Sequence, residues 1–227
     1  APLAAINADA LLPSASLYKL GVMAAVYRAA AAGAVSLDQR VTITQDEVDF
    51  YGDAPATAAG ETLAVSEAVR RMIQVSDNSA AGALIDLIGY DAVNAAFGQV
   101  GMPHSHLGNP PDSDEPSVAE TTASDQAAFF DRLLNGKVVS PSASGEMLTI
   151  LEGQQENDRL PALLPPGTTS AHKTGELDGV RNDSGIIFTP NGPIICVVLV
   201  SHQPEVAGTL NGMASIGLLA FQALAPQ

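Results

Sequence analysis

Lysine is scarce in this chain: only Lys19, Lys137 and Lys173 occur in 227 residues, and two of the three stand in short runs suited to one chemistry. Ser16-Leu17-Tyr18-Lys19 sets a hydroxyl and an amine three residues apart at the start of a helix-forming stretch, which brings both onto one face. A serine hydroxyl attacks a carbonyl poorly until a base takes its proton, and a lysine desolvated near other cations is partly neutral and can be that base. The free N–H groups of a helix N-terminus also favour the negative charge that develops. Ser170-Ala171-His172-Lys173 repeats the spacing, but it reads as a strand, where residues three apart face opposite sides, so this copy is not a Ser-Lys pair.

Two further runs supply complementary groups. Ser76-Asp77-Asn78 offers a hydroxyl able to pass a proton to a leaving nitrogen and an amide able to hold a substrate carbonyl, and Asp77 or Asn78 equally suits the N-cap of the helix that follows. Lys173-Thr174-Gly175, at a strand end, offers a cation and a hydroxyl for a substrate carboxylate, with a glycine that permits close approach of a ligand.

The elements that must position these runs are legible in outline. Apolar spacing predicts a helix from Ser14 or Ser16 through Leu20, Met23, Ala24, Tyr27 and Ala31, ended by Gly33. Val41 to Phe50 passes from β-branched to acidic residues and Tyr51 to Gly60 is turn-rich, which reads as a loop. Helices are expected over Ser66–Gln74, Asn78–Ile88, Asp91–Val100, Ser124–Leu134 and Ser144–Leu151, with a long Pro-rich loop from Gly101 to Glu120. Strands are expected over Thr168–Thr174, Ser184–Thr189 and Pro193–Ser201, the last two joined at Pro190-Asn191-Gly192, and a small-residue helix over Gly208–Leu224 closes the chain. Helices first, then an antiparallel sheet with a covering helix, make an α+β arrangement.

Composition narrows the partners. Acidic residues outnumber basic ones by 25 to 10, for a net charge of −15, which repels nucleic acid and anionic membrane surfaces. The apolar stretches Gly21–Val35 and Ile194–Val200 are interrupted by Arg28 or too short to span a bilayer, and the chain opens without a basic, apolar leader. Cys196 is the single cysteine and sits in an apolar run, so it is expected to be a buried thiol. His104-Ser105-His106 has the residue types of zinc ligands but no third histidine or aspartate nearby, so neither a metal nor another cofactor is expected.

Ser-x-x-Lys, Ser-Asp-Asn and Lys-Thr-Gly, in this order on helix, turn and strand, form the motif set of class A β-lactamases and penicillin-binding proteins, and the stretch from Ala8 to Ala223 resembles that family. The resemblance implies one β-lactamase-like domain, an antiparallel sheet flanked by helices with an all-helical lobe at about 34–165 and a sheet-bearing lobe from 1–33 and 166–227. It implies a serine hydrolase that is acylated on Ser16 by β-lactams and hydrolyses the lactam amide, with Lys19, Ser76 and Lys173 as its other catalytic groups. Substrate contacts are then expected from Asn78, Thr174, Gly175, Arg181 and the backbone N–H of Glu176, with Tyr51 at the pocket rim. Export to the periplasm or medium, and a β-lactam or peptidoglycan-like peptide as partner, follow from the same resemblance.

Two departures bear on that expectation. The family's Glu-x-x-Leu-Asn, whose glutamate activates the hydrolytic water, has no counterpart in the shorter loop Leu107–Pro116, where Asp112, Asp114 and Glu115 are the acids present and Asp112 and Glu115 the candidates for orienting a water. A penicillin-binding or D-Ala-D-Ala peptidase-like enzyme, or a β-lactam-binding protein that deacylates slowly, is the alternative. The family also opens with a helix and two strands, whereas only Ala1–Ala15 precede Ser16 here. With those elements missing, the edge of the Ile194–Val200 strand is expected to be unpaired, either because the chain is truncated or because that edge pairs with another chain.

Overall fold

In the computed structural model, which describes residues 3–51, 56–109, 113–115, 117–203 and 205–224, the segment carrying Ser16 starts as a 3₁₀ turn, Ala15–Tyr18, and only then becomes the helix α1 (Lys19–Ala31). The sequence predicts one continuous helix from Ser14 or Ser16. Ala15, the first residue of that turn, has a φ of +45°, a left-handed conformation that rules out a continuous α-helix from Ser14, so the chain turns sharply just before Ser16. Ahead of the turn, β1 (Leu12–Pro13) pairs with β4 (Glu120–Thr121), which lies at the end of the Pro-rich loop.

Leu20, Val22, Met23, Ala24 and Val26 of α1 are wholly buried, because α3 (Val65–Gln74), α4 (Asn78–Ile88) and α5 (Tyr90–Gln99) pack around it. Leu20, Val22, Met23 and Val26 each contribute about 1.5–3 kcal/mol on leaving water. Gly21 is required for that packing, since a Cβ at this position would lie 2.2 Å from the ring of Phe97 on α5. The core continues without a break through Phe129 and Phe130 of α6 (Ala123–Leu134), Met147 and Leu151 of α7 (Pro141–Glu152), and Ala171 and Ile186 of the sheet.

Three short elements go unread in the sequence: the paired strands β2 (Arg40–Thr42) and β3 (Thr62–Ala64), and between them a helix, α2 (Gln45–Tyr51), which ends where the turn-rich stretch from Tyr51 begins. Its start is a reciprocal cap: the Glu47 amide donates to Thr44 Oγ1 at 3.2 Å, and the Thr44 amide donates to the Glu47 carboxylate. Thr-x-x-Glu ahead of Val48 is a capping-box signature that stands in the sequence.

The main sheet is antiparallel in the order β5 (Ser170–Leu177), β6 (Val180–Thr189), β7 (Gly192–Val200). The first two strands are longer than the sequence predicts because Asp178-Gly179 closes a two-residue hairpin, with Gly179 at φ +69°. Pro190-Asn191 turns the second hairpin, with Gly192 opening β7 opposite Thr189, within the expected Pro190-Asn191-Gly192 junction. Against the sheet packs α8 (Val206–Ala223), with Met213, Ala214 and Gly217 buried; the Leu160 carbonyl lies 2.0 Å from where a Cβ of Gly217 would be. By length and apolar content α8 passes as a bilayer span, and Leu219 on it is 64% exposed. Among the described residues no strand pairs with the outer edge of β7, and Cys196 on it is buried, with its thiol pushed up to about 12 by burial. Helical block, antiparallel sheet and covering helix together make the expected α+β arrangement.

Candidate active site

Three segments far apart in sequence converge at the end of β5. The turn bearing Ser16 is pinned from two directions: Asn182 Nδ2 on β6, fully buried, donates to the carbonyls of Pro13 and Ser14 at 3.0 and 3.1 Å, and the Ser14 amide donates to Ala119 O at 2.8 Å. Gly175 of β5 lies directly on this turn. A Cβ there would sit 2.8 Å from Ser14 O and 3.2 Å from the Ser16 amide nitrogen, so only glycine lets the Lys-Thr-Gly strand approach the Ser16 backbone so closely. The Ser16 N–H thus lies against the strand that continues into Glu176.

Ser76 stands at the other wall, between α3 and α4, with φ +59°. A serine rarely adopts that conformation, at a cost of about 1–3 kcal/mol when the surroundings impose it. Asp77 imposes it: it caps α4 by accepting from the Ala80 amide at 2.9 Å with one oxygen and receives the Thr57 amide at 3.0 Å and the Thr57 hydroxyl with the other. Capping by Asp77 leaves Asn78 free to face the cleft.

Both cleft lysines reach Ser76. Lys19 Nζ donates to the Ser76 carbonyl at 2.7 Å, to Ser76 Oγ at 3.1 Å and to Asn78 Oδ1 at 2.5 Å. Lys173 Nζ donates to the same Ser76 Oγ at 3.0 Å and to the Thr174 carbonyl at 2.9 Å. Neither ammonium is exposed to solvent. Burial, then the nearby charge of Lys173, holds Lys19 well below the ordinary lysine range. Burial also brings Lys173 down to about 8, with Glu156 opposing and Arg159 assisting the fall. A hydroxyl bridging two amines, with the charge of Lys19 disfavoured by burial and by Lys173, is a proton relay in geometric form.

The polar run Gln154–Arg159 completes the cleft, and sequence reasoning passes over it. Gln154 anchors it by donating to Ile73 O at 2.9 Å and accepting from the amides of Gln155 and Glu156 at 2.8 and 3.0 Å. Glu156 then accepts from the Thr174 hydroxyl. Burial alone would raise its carboxyl, but the Thr174 hydrogen bond and the charges of Lys173, Arg159 and Lys19 outweigh burial and hold it low. Arg159 is 2% exposed and ion-pairs with Glu176 at 2.7 Å while donating to Asn182 O at 3.3 Å. The only sequence signal is the density of polar residues between two apolar elements, and nothing in it says that an arginine there is buried.

The remaining predicted residues fall as follows. Lys19, Ser76, Asn78 and Lys173 are joined by hydrogen bonds, Thr174 and Gly175 follow Lys173 on β5, and Gly175 lies against the backbone of Ser16. Glu176 follows Gly175, its side chain shared between Arg159 and Arg181. Arg181 is directed to its own hairpin, donating to Leu177 O and Val180 O, both at 2.8 Å. Glu115 is exposed, and its backbone carbonyl accepts from Asn109 Nδ2 at 2.6 Å. Asp112 and the side chain of Tyr51 lie outside the described residues. His172, on the opposite face from Lys173, is buried between Asp183 Oδ1 at 2.8 Å and Asn157 Oδ1 at 3.1 Å. His104 and His106 pair separately, with Asp125 at 3.0 Å and Glu120 at 3.6 Å.

A serine on a sharp turn, a buried lysine three residues on, and a second hydroxyl bonded by that lysine and by another are the parts of a Ser-Lys acyl hydrolase on an α+β scaffold. The chain belongs to the beta-lactamase enzyme family: the family model matches residues 2–224. It is 30% identical to a beta-lactamase of Streptomyces albus G over 93% of this chain and 72% of that protein. Among solved structures it is similar to a beta-lactamase from Sphaerobacter thermophilus, with a TM-score of 0.87 and 32% identity over 98% of this chain and 88% of the other. It is also similar to a mutant of PBP-A solved as an acyl-enzyme with penicillin G, with a TM-score of 0.85 and 27% identity over 96% of this chain and 83% of the other.

Proposed function

We propose that this protein is a serine β-lactamase in which Ser16 opens the lactam ring. The observation that carries the reading is the Ser76 hydroxyl held at 3.1 and 3.0 Å by the two buried lysines, beside the turn that presents Ser16. Lys19, neutral in part because burial and Lys173 disfavour its charge, takes the proton of Ser16 as Oγ bonds to the lactam carbonyl carbon. The amide N–H groups of Ser16 and Glu176 receive the oxyanion. Ser76 gives its proton to the ring nitrogen as the C–N bond breaks, and Lys19 returns the proton to Ser76 through the hydrogen bond they share. Asn78, with Oδ1 on Lys19, has its Nδ2 available for a substrate amide carbonyl, while Lys173 and Thr174, with Arg181 as the other proposed basic contact, serve the substrate carboxylate. Water then hydrolyses the ester at Ser16, with Asp112 or Glu115 as the residue that would orient it.

Incubation with a chromogenic cephalosporin, followed through burst and steady state, together with mass spectrometry after brief penicillin treatment, tests the reading. The expected result is one adduct on the peptide containing Ser16 that returns to the unmodified mass; no adduct and no turnover would overturn it. The second reading, a penicillin-binding or D-Ala-D-Ala peptidase-like enzyme that stays acylated, is favoured by one observation: the Leu107–Pro116 loop lacks Glu-x-x-Leu-Asn, and its Glu115 is exposed. A persistent adduct supports it, and hydrolysis of a D-Ala-D-Ala peptide then identifies the peptidase. Action outside the cytoplasmic membrane, and pairing of the open β7 edge with a second chain, belong to the same proposal.

The pH profile follows from the two lysines. Lys19 must lose its proton to act, so acylation rises with pH on the acid side. Lys173 must keep its proton to hold a carboxylate, and its value of about 8 places the alkaline limb there. For a penicillin, kcat/KM is expected to fall about tenfold per unit above that limb; for the methyl ester of the same penicillin the alkaline limb should be absent. An identical alkaline limb for both would remove Lys173 from carboxylate recognition.

A further inference from the structure

One of the groups assigned to a substrate carboxylate, the Thr174 hydroxyl, already holds a carboxylate, that of Glu156, beside the charge of Lys173. Its Oε2 accepts from the Thr174 hydroxyl and lies 4.0 Å from Arg159 Nη1. The backbone beneath it is fixed: Gln154 ties it to α3, and Asn157 bonds His172 Nε2 at 3.1 Å and the Gln154 carbonyl at 3.1 Å. The side chain itself is 40% exposed and so has room to swing into solvent.

We infer that Glu156 is a specificity-determining residue that occupies the anion subsite of the cleft, so that a substrate carboxylate must displace it whereas a neutral tail need not. The reason is elementary. One hydroxyl, one lysine and one partly distant guanidinium cannot serve two carboxylates a few ångströms apart, because like charges at that range in a partly buried site repel strongly. A tail that carries an N–H, such as a carboxamide, instead meets an acceptor in Glu156. The inference rests on the acylation of Ser16 proposed above, and it names which substrates that same cleft prefers.

The test compares the second-order acylation rate of a penicillin with that of its carboxamide, in wild type, Glu156→Gln and Glu156→Ala. Glutamine keeps shape and acceptor and removes the charge; alanine removes both. The acid-to-amide ratio is expected to rise about tenfold in both variants. An unchanged or lower ratio overturns the inference. A measurement that needs no acylation separates the two proposals: thermal stabilisation by sulfate, an anion of the same hydrogen-bonding kind. The sulfate concentration giving half-maximal stabilisation should fall about tenfold in Glu156→Gln relative to wild type. If no form is acylated, the β-lactamase reading fails, and the sulfate comparison still decides whether Glu156 fills the subsite; equal sulfate response in both proteins overturns the inference.

Discussion

Replacing Ser16 by Ala is expected to abolish covalent labelling by penicillin and to lower turnover by about 10⁴- to 10⁶-fold, the scale on which removal of a hydrolase nucleophile acts. The change deletes one oxygen from a half-buried side chain at the turn, so folding should survive, with a Tm shift of less than about 4 °C. Loss of labelling with an intact thermal transition therefore isolates chemistry from structure. Labelling of the variant at the wild-type rate would transfer the nucleophile to another hydroxyl, and Ser76 would be the first to test.

Replacing Lys19 by Met carries the second largest effect. Methionine fills nearly the same buried volume without an amine, and acylation should fall by about 10²- to 10⁴-fold, the usual contribution of a positioned base. The acid limb of the pH profile should vanish with it. Survival of that limb in Lys19→Met would give the proton transfer to another group.

Stability should respond as well. A lysine whose folded pKa lies below its unfolded value of about 10.4 holds its proton less tightly when folded. The unfolded chain then binds more protons across that window, so stability rises with pH up to the unfolded value and is lost as pH falls through the folded one. Lys19 and Lys173 both have this sign, and the Lys173 window opens at about 8. The wild-type gain in Tm between pH 8 and 10 should be smaller in Lys19→Met, measured by thermal unfolding across that range.

What the sequence reveals and hides can be followed residue by residue. The helices α3 to α7 are legible because their apolar residues recur at the helical period and their ends carry punctuation such as Asp77, Gly89 and Pro141. The hairpin between β6 and β7 is legible from the turn chemistry of Pro190-Asn191-Gly192. The Thr44-x-x-Glu47 cap of α2 and the Asp178-Gly179 hairpin are equally local signals, and their oversight shows that short elements drown in a polar background rather than lack a code. The left-handed Ala15 and Ser76 are different. Neither residue type favours that conformation, and it persists because Asn182 on one side and Asp77 on the other hold the flanking backbone.

By itself, then, the sequence determined the chemistry on offer: two hydroxyls and two amines in three motifs, in an order that resembles one family, on an α+β succession of elements. Only the tertiary structure decided that Lys173 reaches Ser76 across 97 positions, that Arg159 is buried, and that Glu156 lies on Thr174. The reason is physical. Periodicity and capping are set by neighbours within a few residues, whereas the burial of a charge and the partner that offsets its desolvation are set by segments that packing of the common core brings together.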